Sequence, residues 1–351
     1  MKKGKLVTGI GVVLLAVSLP LLLLAKGNRQ AAFSVRPQEA QATGYKISGP
    51  YVYQNLSIFL IHGQDRITGK TILTLQEAMR QKKIIVYETG SVNELAIENV
   101  SPNEEVFVQS GDIVKGGQQD RMLGVDLIVP PKSGRIPIAA FCVERGRWSR
   151  RGNETASNFS SSTERVATRD LKIAANKERS QTEVWSKVAE AQDKLSQNVG
   201  VRVNSAQSES SFQLALENKR VQETADNYTK TLLRIVEGRT DVIGYAFAIN
   251  GQLNSADVYA SNALFKKLWP GLLKASAIEA IAELRQNEKF KPLTANEVSA
   301  FLAEAERGAS SEREVTRRIH MVTRETKQNI LFETRDRSQK EVWVHRSYIK
   351  K

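Results

Sequence analysis

The dipeptide Asn250-Gly251 constrains this chain more than any other pair of residues. It stands between the run Val242 to Ile249, rich in β-branched and aromatic side chains, and the run Gln252 to Tyr259. A two-residue Asn-Gly loop suits a type I′ turn, whose twist matches that of antiparallel strands. Any fold must therefore accommodate an antiparallel hairpin at this point. Leu56 to Ile61, Lys83 to Tyr87, Asn93 to Val100 and Glu105 to Val108 are further short apolar runs separated by turn residues. Ile319 to Val322, Asn329 to Phe332 and Val342 to Tyr348 predict a three-stranded meander with Arg and Lys on a solvated face. Such spacing predicts a mostly antiparallel β assembly.

Helical periodicity appears between these runs. Thr74 to Met79 predicts one or two turns, and Val184, Trp185, Val188, Ala191 and Leu195 recur at helical spacing. Ser208 to Glu237 predicts a longer helix stopped by Gly238, with Phe212, Leu216, Tyr228, Leu232, Leu233 and Ile235 facing the core. Ser261 is placed to cap a helix carrying Leu264, Phe265, Leu268 and Trp269, which Pro270-Gly271 is expected to break before a second helix through Leu284. Glu297 to Glu306 is a last short helix. The expected class is α+β: a β-rich, mostly antiparallel body with packed helices, preceded by one transmembrane helix.

That transmembrane expectation rests on the N-terminus. Lys2, Lys3 and Lys5 precede an uncharged stretch from Leu6 to Ala25, about one helical membrane crossing in length. Leu23 and Ala25 match the small-residue rule of a cleavage site poorly, which favours an anchor, while Pro20 could mark the end of a signal core. An uncleaved anchor is the first expectation and a removed signal peptide, leaving a secreted or periplasmic body, the alternative. The excess of lysines ahead of the span places the body outside the cytoplasm. The organisation expected is a stub and anchor at 1–29, a tether at 30–45, a β-rich domain with a helical layer at 46–285, and a C-terminal helix and meander at 286–351 on the same body.

The net charge of +13 suggests nucleic acid until its distribution is considered. Residues 1–36 hold six basic residues and no acids, and residues 311–351 hold eleven basic and six acidic ones, so the remainder is nearly neutral. A nearly neutral body lacks the electrostatic footprint of a duplex-binding protein, and no nucleic-acid partner is expected. The single cysteine, Cys142, sits in an apolar run and reads as a core residue. The three histidines are scattered, so no metal site and no cofactor is expected.

Chemistry is concentrated in Ser110 to Trp148. Here a glycine-bracketed polar loop, Gly111 to Arg121, is followed by two apolar strands around a Pro-Pro-Lys-Ser-Gly turn and a charged exit, Glu144 to Trp148. Successive glycines can turn backbone amides into a shared concavity that binds anions. Lys115, Gly116, Gly117, Gln118 and Arg121, with Arg145, Arg147 and Trp148 approaching from the exit, are the candidate ligand-binding residues. Asp112, Asp120 and Glu144 are the candidate acid–base residues. The alternative is a tight turn whose polar side chains satisfy one another and whose Glu–Arg pairs lock two β layers together. Gly63 to Thr71 resembles a phosphate-binding loop, but it has five residues between its glycines where that motif needs four, and reads as a strand connection.

The motifs Gly116 to Arg121, Phe141 to Trp148 and Glu183-Val184-Trp185, extended by Gly244 to Gly251 and Phe265 to Pro270, are fairly specific together. Over roughly residues 50–285 the chain resembles the ARG and rhodanese-phosphatase-superfamily-associated protein domain, a prokaryotic family named for neighbouring ADP-ribosylglycohydrolase and phosphatase genes. That family has no established activity, so the resemblance implies a domain identity and a loose link to nucleotide or ADP-ribose metabolism. The expected function is a membrane-tethered binding or interaction module for a small anionic, phosphate- or nucleotide-like ligand. The alternative is a hydrolase of a phosphorylated or ADP-ribosyl ligand that uses the carboxylates of the central stretch.

Overall fold

The Asn250-Gly251 hairpin lies at the middle of a nine-stranded antiparallel sheet in a computed structural model, which describes residue 1 and residues 38–351 apart from 43, 68, 166, 167, 340 and 341. Asn250 and Gly251 both adopt the left-handed backbone, with φ of 53° and 73°, that a type I′ turn requires. Across the sheet the strands are Gln38–Ala42, Tyr45–Tyr53, Leu56–His62, Val242–Ile249, Gln252–Tyr259, Val342–Lys350, Asn329–Asp336, Ile319–Glu325 and Ala309–Glu314. Leu56–His62 and Val242–Ile249 are hydrogen-bonded neighbours, so everything from residue 63 to 241 is one excursion between adjacent strands. The C-terminal strands join the same sheet through the pairing of Gln252–Tyr259 with Val342–Lys350.

The excursion builds two smaller sheets. Phe159–Arg165, Asp112–Gly116, Arg121–Leu123, Arg135–Cys142, Glu94–Asn99 and Ile84–Glu88 form the six-stranded one. Leu127–Val129, Glu105–Val108 and Ile72–Thr74 form the other, whose last pair is parallel. The Gly63–Thr71 segment is a connection, as its spacing implied. The Gly63 amide donates to Asp241 O, those of Arg66 and Ile67 donate to Ala260 O, and a strand follows instead of a helix.

Every residue of Val242–Ile249 is buried, because the sheet is covered by the helix Asn262–Ala282. Tyr245 lies between Phe247 and Phe265 and meets Trp269 edge-on, with ring centroids 5.4 Å apart in the last pair. Such aromatic packing carries much of a core's stability. The helices Gln181–Val199 and Lys219–Leu232 pack on the outside of the same helix.

Four details differ from the sequence reading. The helix from Ser261 runs straight through Pro270, because burial of Leu268, Trp269, Leu272 and Leu273 around it outweighs the roughly 3 kcal/mol cost of an interior proline. The segment 208–237 is two helices and a 3₁₀ turn, not one helix. Asn218 interrupts it by capping the second helix on the Arg220 amide, and Leu233 is 38% exposed. Ser149 to Ser162 is rich in Arg, Asn and Ser without apolar periodicity and so reads as a surface loop, but is only partly one: Phe159–Arg165 pairs with Asp112–Gly116, and Arg151 is buried. The basic face of the meander is internally paired, since Arg335 and Arg346 lie 2.6 and 2.5 Å from Glu333, a carboxylate with no exposed surface. The expected span Leu6–Ala25 and most of the tether lie outside the described residues. No helix among the described residues is long and apolar enough to cross a membrane.

Candidate functional site

The amides of the glycine loop are each taken by a different acceptor of the protein itself. Gly116 N–H donates to Asp120 Oδ1 at 3.0 Å, Gly117 N–H to Thr155 O at 3.1 Å, and Gln118 N–H to Glu88 Oε2 at 3.1 Å. Glu88 enters from the neighbouring Ile84–Glu88 strand, and its Oε1 also accepts from the amides of Thr89 and Gly90. Two carboxylates and a backbone carbonyl thus take up the three amides. Gly117 is fixed here on two counts. Its φ is +57°, and a Cβ would lie 2.3 Å from Phe159 Cζ and 2.9 Å from Glu88 Oε2. Gly117→Ala is therefore expected to destabilise the fold by about 1–3 kcal/mol, measured by urea denaturation; an unchanged midpoint would show that the loop relaxes freely.

Asp120 and Glu144 form the centre of one buried network, both with no exposed surface. Arg151 reaches Asp120 through two parallel bonds of 2.8 and 3.1 Å, and the Ser211 hydroxyl donates to the same carboxylate at 3.1 Å. Both Asp120 oxygens only accept, which is the pattern of an ionised carboxylate. Burial pushes its pKa up, against the pull of Arg151. Glu144 holds Arg147 at 2.7 Å and accepts the Asp120 amide at 3.3 Å. Burial alone would raise its pKa, yet the Arg147 bond and its other donors hold it below the usual range. Ser211 caps the Phe212–Leu216 helix while bonding Asp120, so the network ties the six-stranded sheet to the helical layer.

Asp112 belongs to a different network. It lies 2.8 Å from Arg165 and accepts the Gln109 amide at 2.9 Å, with burial raising its pKa. Next to it, Asp126 accepts the Ser110 amide and stands 2.7 Å from His345, which also lies 3.2 Å from Asp257. Lys172 completes the cluster at 3.1 Å from Asp257, and the Tyr259 ring stacks on His345. Burial opposes a charged imidazole, but the two carboxylates push the His345 pKa up to about 9. These groups fasten the central stretch to the nine-stranded sheet.

The other candidates are dispersed. Lys115 is paired with Glu217 at 2.8 Å, and Arg121 is fully buried, 3.5 Å from Glu88, with the Trp148 ring 5.2 Å over its guanidinium. Arg145 is exposed and lies over Trp185, while Trp148 is 45% exposed. Cys142 is a buried core residue whose thiol burial pushes up to about 11. Among the described residues, no group of three or more His, Cys, Asp or Glu is placed to hold a metal ion. Glu88, Arg151, Arg165 and His345 are the functional partners that sequence reading missed. Asp126 alone left a signal there: an acid inside the apolar run Met122 to Val129 requires a buried partner.

Fold and site together define a β-rich α+β domain whose conspicuous polar loop is closed on its own carboxylates. The chain belongs to the ARPP-1 family, the ARG and Rhodanese-Phosphatase-superfamily-associated Protein domain, whose family model matches residues 44–349. No curated protein and no solved structure matches it.

Proposed function

We propose that this protein is a binding or interaction module, tethered to a membrane through Leu6–Ala25 with its body outside the cytoplasm, that recognises a small anionic ligand at the loop following Glu144. The observation that carries this reading is the 45% exposure of Trp148 on a loop whose acidic neighbours are already neutralised from within. Glu144 and Asp120 are taken up by Arg147 and Arg151, which leaves Arg145 and Arg150 exposed on the same loop as an indole with one face on Arg121. An anion attached to a flat ring matches that surface, through guanidinium–phosphate bonds and stacking. The amides of Gly116, Gly117 and Gln118, with Lys115 and Arg121, act as the scaffold beneath. Hydrolysis through Asp112, Asp120 or Glu144 is the weaker reading, because each carboxylate would have to leave its arginine before it could move a proton.

The test is a titration of the full-length, detergent-solubilised protein with AMP, which combines a phosphate dianion with a stackable base. Tryptophan fluorescence should be quenched saturably, the quench should vanish in Trp148→Ala, and Arg145→Ala should weaken binding by about tenfold. A wild-type protein whose fluorescence ignores AMP, or a Trp148→Ala variant that still responds, would overturn the assignment. Recovery of the full chain in the soluble fraction after cell breakage would overturn the tether.

A further inference from the structure

Two arginines outside the central stretch converge on a cavity that the stretch helps to wall. Arg179 comes from the turn just ahead of the Gln181–Val199 helix, and Arg313 from the edge strand Ala309–Glu314. The cavity has a volume of about 170 Å³. Val125, Ala139, Phe141 and Ala175 give it apolar walls, and Asn93 adds a polar group.

The charges there are unbalanced. Nearby cations have carboxylate partners: Lys177 lies 2.6 Å from Glu325, and Arg318 lies 2.5 Å from Asp336. Among the described residues neither Arg179 nor Arg313 has an ion pair or a hydrogen bond from its side chain. The two guanidiniums act on each other instead: burial lowers the Arg313 pKa, and the charge of Arg179 lowers it further. A half-buried cation facing a second cation across a cavity is unfavourable unless an anion neutralises both.

We propose that this cavity binds a small phosphate monoester bearing an aromatic group, with the phosphoryl oxygens between Arg179 and Arg313 and the ring against the apolar wall at Phe141. A phosphate monoester carries nearly two negative charges at neutral pH, which matches two guanidiniums, and planar donor forks suit its oxygens. The volume accommodates a phosphoryl group with one ring and is too small for a dinucleotide. This site is separate from the Trp148 loop, because none of the residues of that loop lines it.

Calorimetric titration of the full-length protein with phenyl phosphate tests the proposal, with inorganic phosphate and benzoate as comparisons. Phenyl phosphate should bind at least about tenfold tighter than either comparison, and Arg179→Ala and Arg313→Ala should each weaken it by about tenfold or more. Phenyl phosphate also suits the Trp148 loop, so each titration is repeated in the Trp148→Ala background, where the binding that depends on Arg179 and Arg313 should persist. Absence of binding by the wild type, retention of binding in the Arg179→Ala/Arg313→Ala double variant of that background, or benzoate binding as tightly as phenyl phosphate would each overturn the proposal. Loss of phenyl phosphate binding only in Arg145→Ala or Trp148→Ala would move the ligand to the exposed loop. Arg179 is exposed, so its variants should fold, and Arg179→Glu alone decides the matter if Arg313→Ala does not.

Discussion

Replacing Arg151 by alanine is expected to lower stability by about 3–5 kcal/mol, the usual cost of removing one partner from a buried ion pair. The side chain is 7% exposed and makes two bonds to Asp120, which has no exposed surface, so the variant strands a carboxylate where water cannot reach it. The loss should spread, because Asp120 also holds the Gly116 amide and the Ser211 hydroxyl that caps the Phe212–Leu216 helix. In a body of this size about 2–4 °C of melting temperature accompanies each kcal/mol, so a fall of roughly 10 °C is expected. Arg151→Ala combined with Asp120→Asn should recover part of it, since the stranded charge is then gone. A single variant that melts within about 2 °C of the wild type would show that the pair contributes little. By contrast Arg145→Ala, at an exposed position, should leave the melting temperature nearly unchanged.

Stability should peak in mildly acidic solution and decline toward alkaline pH, with His345 as the main cause. Its pKa is about 9 in the fold against about 6.5 in an unfolded chain. The raised value means that the histidine stabilises the fold fully below about pH 6.5, and that this contribution is lost as pH rises through 9. Two to three pH units of displacement correspond to about 3 kcal/mol as an order of magnitude. Glu279 works in the same direction: burial raises it to about 7, so its neutral form favours the fold and that advantage fades as pH rises through 7. Asp126 and Asp257 act on the acid side. Burial alone would raise them, but His345 holds Asp126 down and Lys172 with His345 holds Asp257 down, so their contributions are present above about pH 4 and lost as pH falls through the depressed folded values. The expected maximum lies at about pH 4.5–6.5. Thermal melts from pH 4 to 10 would show it, and His345→Gln should flatten the alkaline limb while lowering stability near pH 5.5. A wild-type melting temperature that is level from pH 6 to 9.5 would exclude His345 as the controlling group.

Local chemistry was legible wherever a short-range rule decided the outcome. Asn250-Gly251 announced its hairpin, Ser261 its helix start, and Gly116-Gly117 a polar loop. Local rules failed where distant contacts dominate. Pro270 is a helix breaker by propensity, yet burial of Leu268, Trp269, Leu272 and Leu273 around it keeps the helix whole. Ser160 to Ser162 have no apolar pattern, yet they form a strand because Asp112–Gly116 offers an open edge and Gln213 a hydrogen-bond partner. Four arginines crowd the segment 145–151, and nothing in their spacing tells which of them is buried: Arg151 is, whereas Arg145 and Arg150 are exposed.

The sequence by itself determined that the chain is a β-rich α+β protein of the ARPP-1 family and that its densest polar chemistry lies between Ser110 and Trp148. Only the tertiary structure decided what meets that chemistry. Glu88, Arg151, Arg165 and His345 reach it from positions 30 to 219 residues away from their partners, a result of returning strands that no local pattern encodes. Hydrogen bonding and charge neutralisation act through space at about 3 Å, so a sequence can declare which groups need a partner but only the folded chain supplies one.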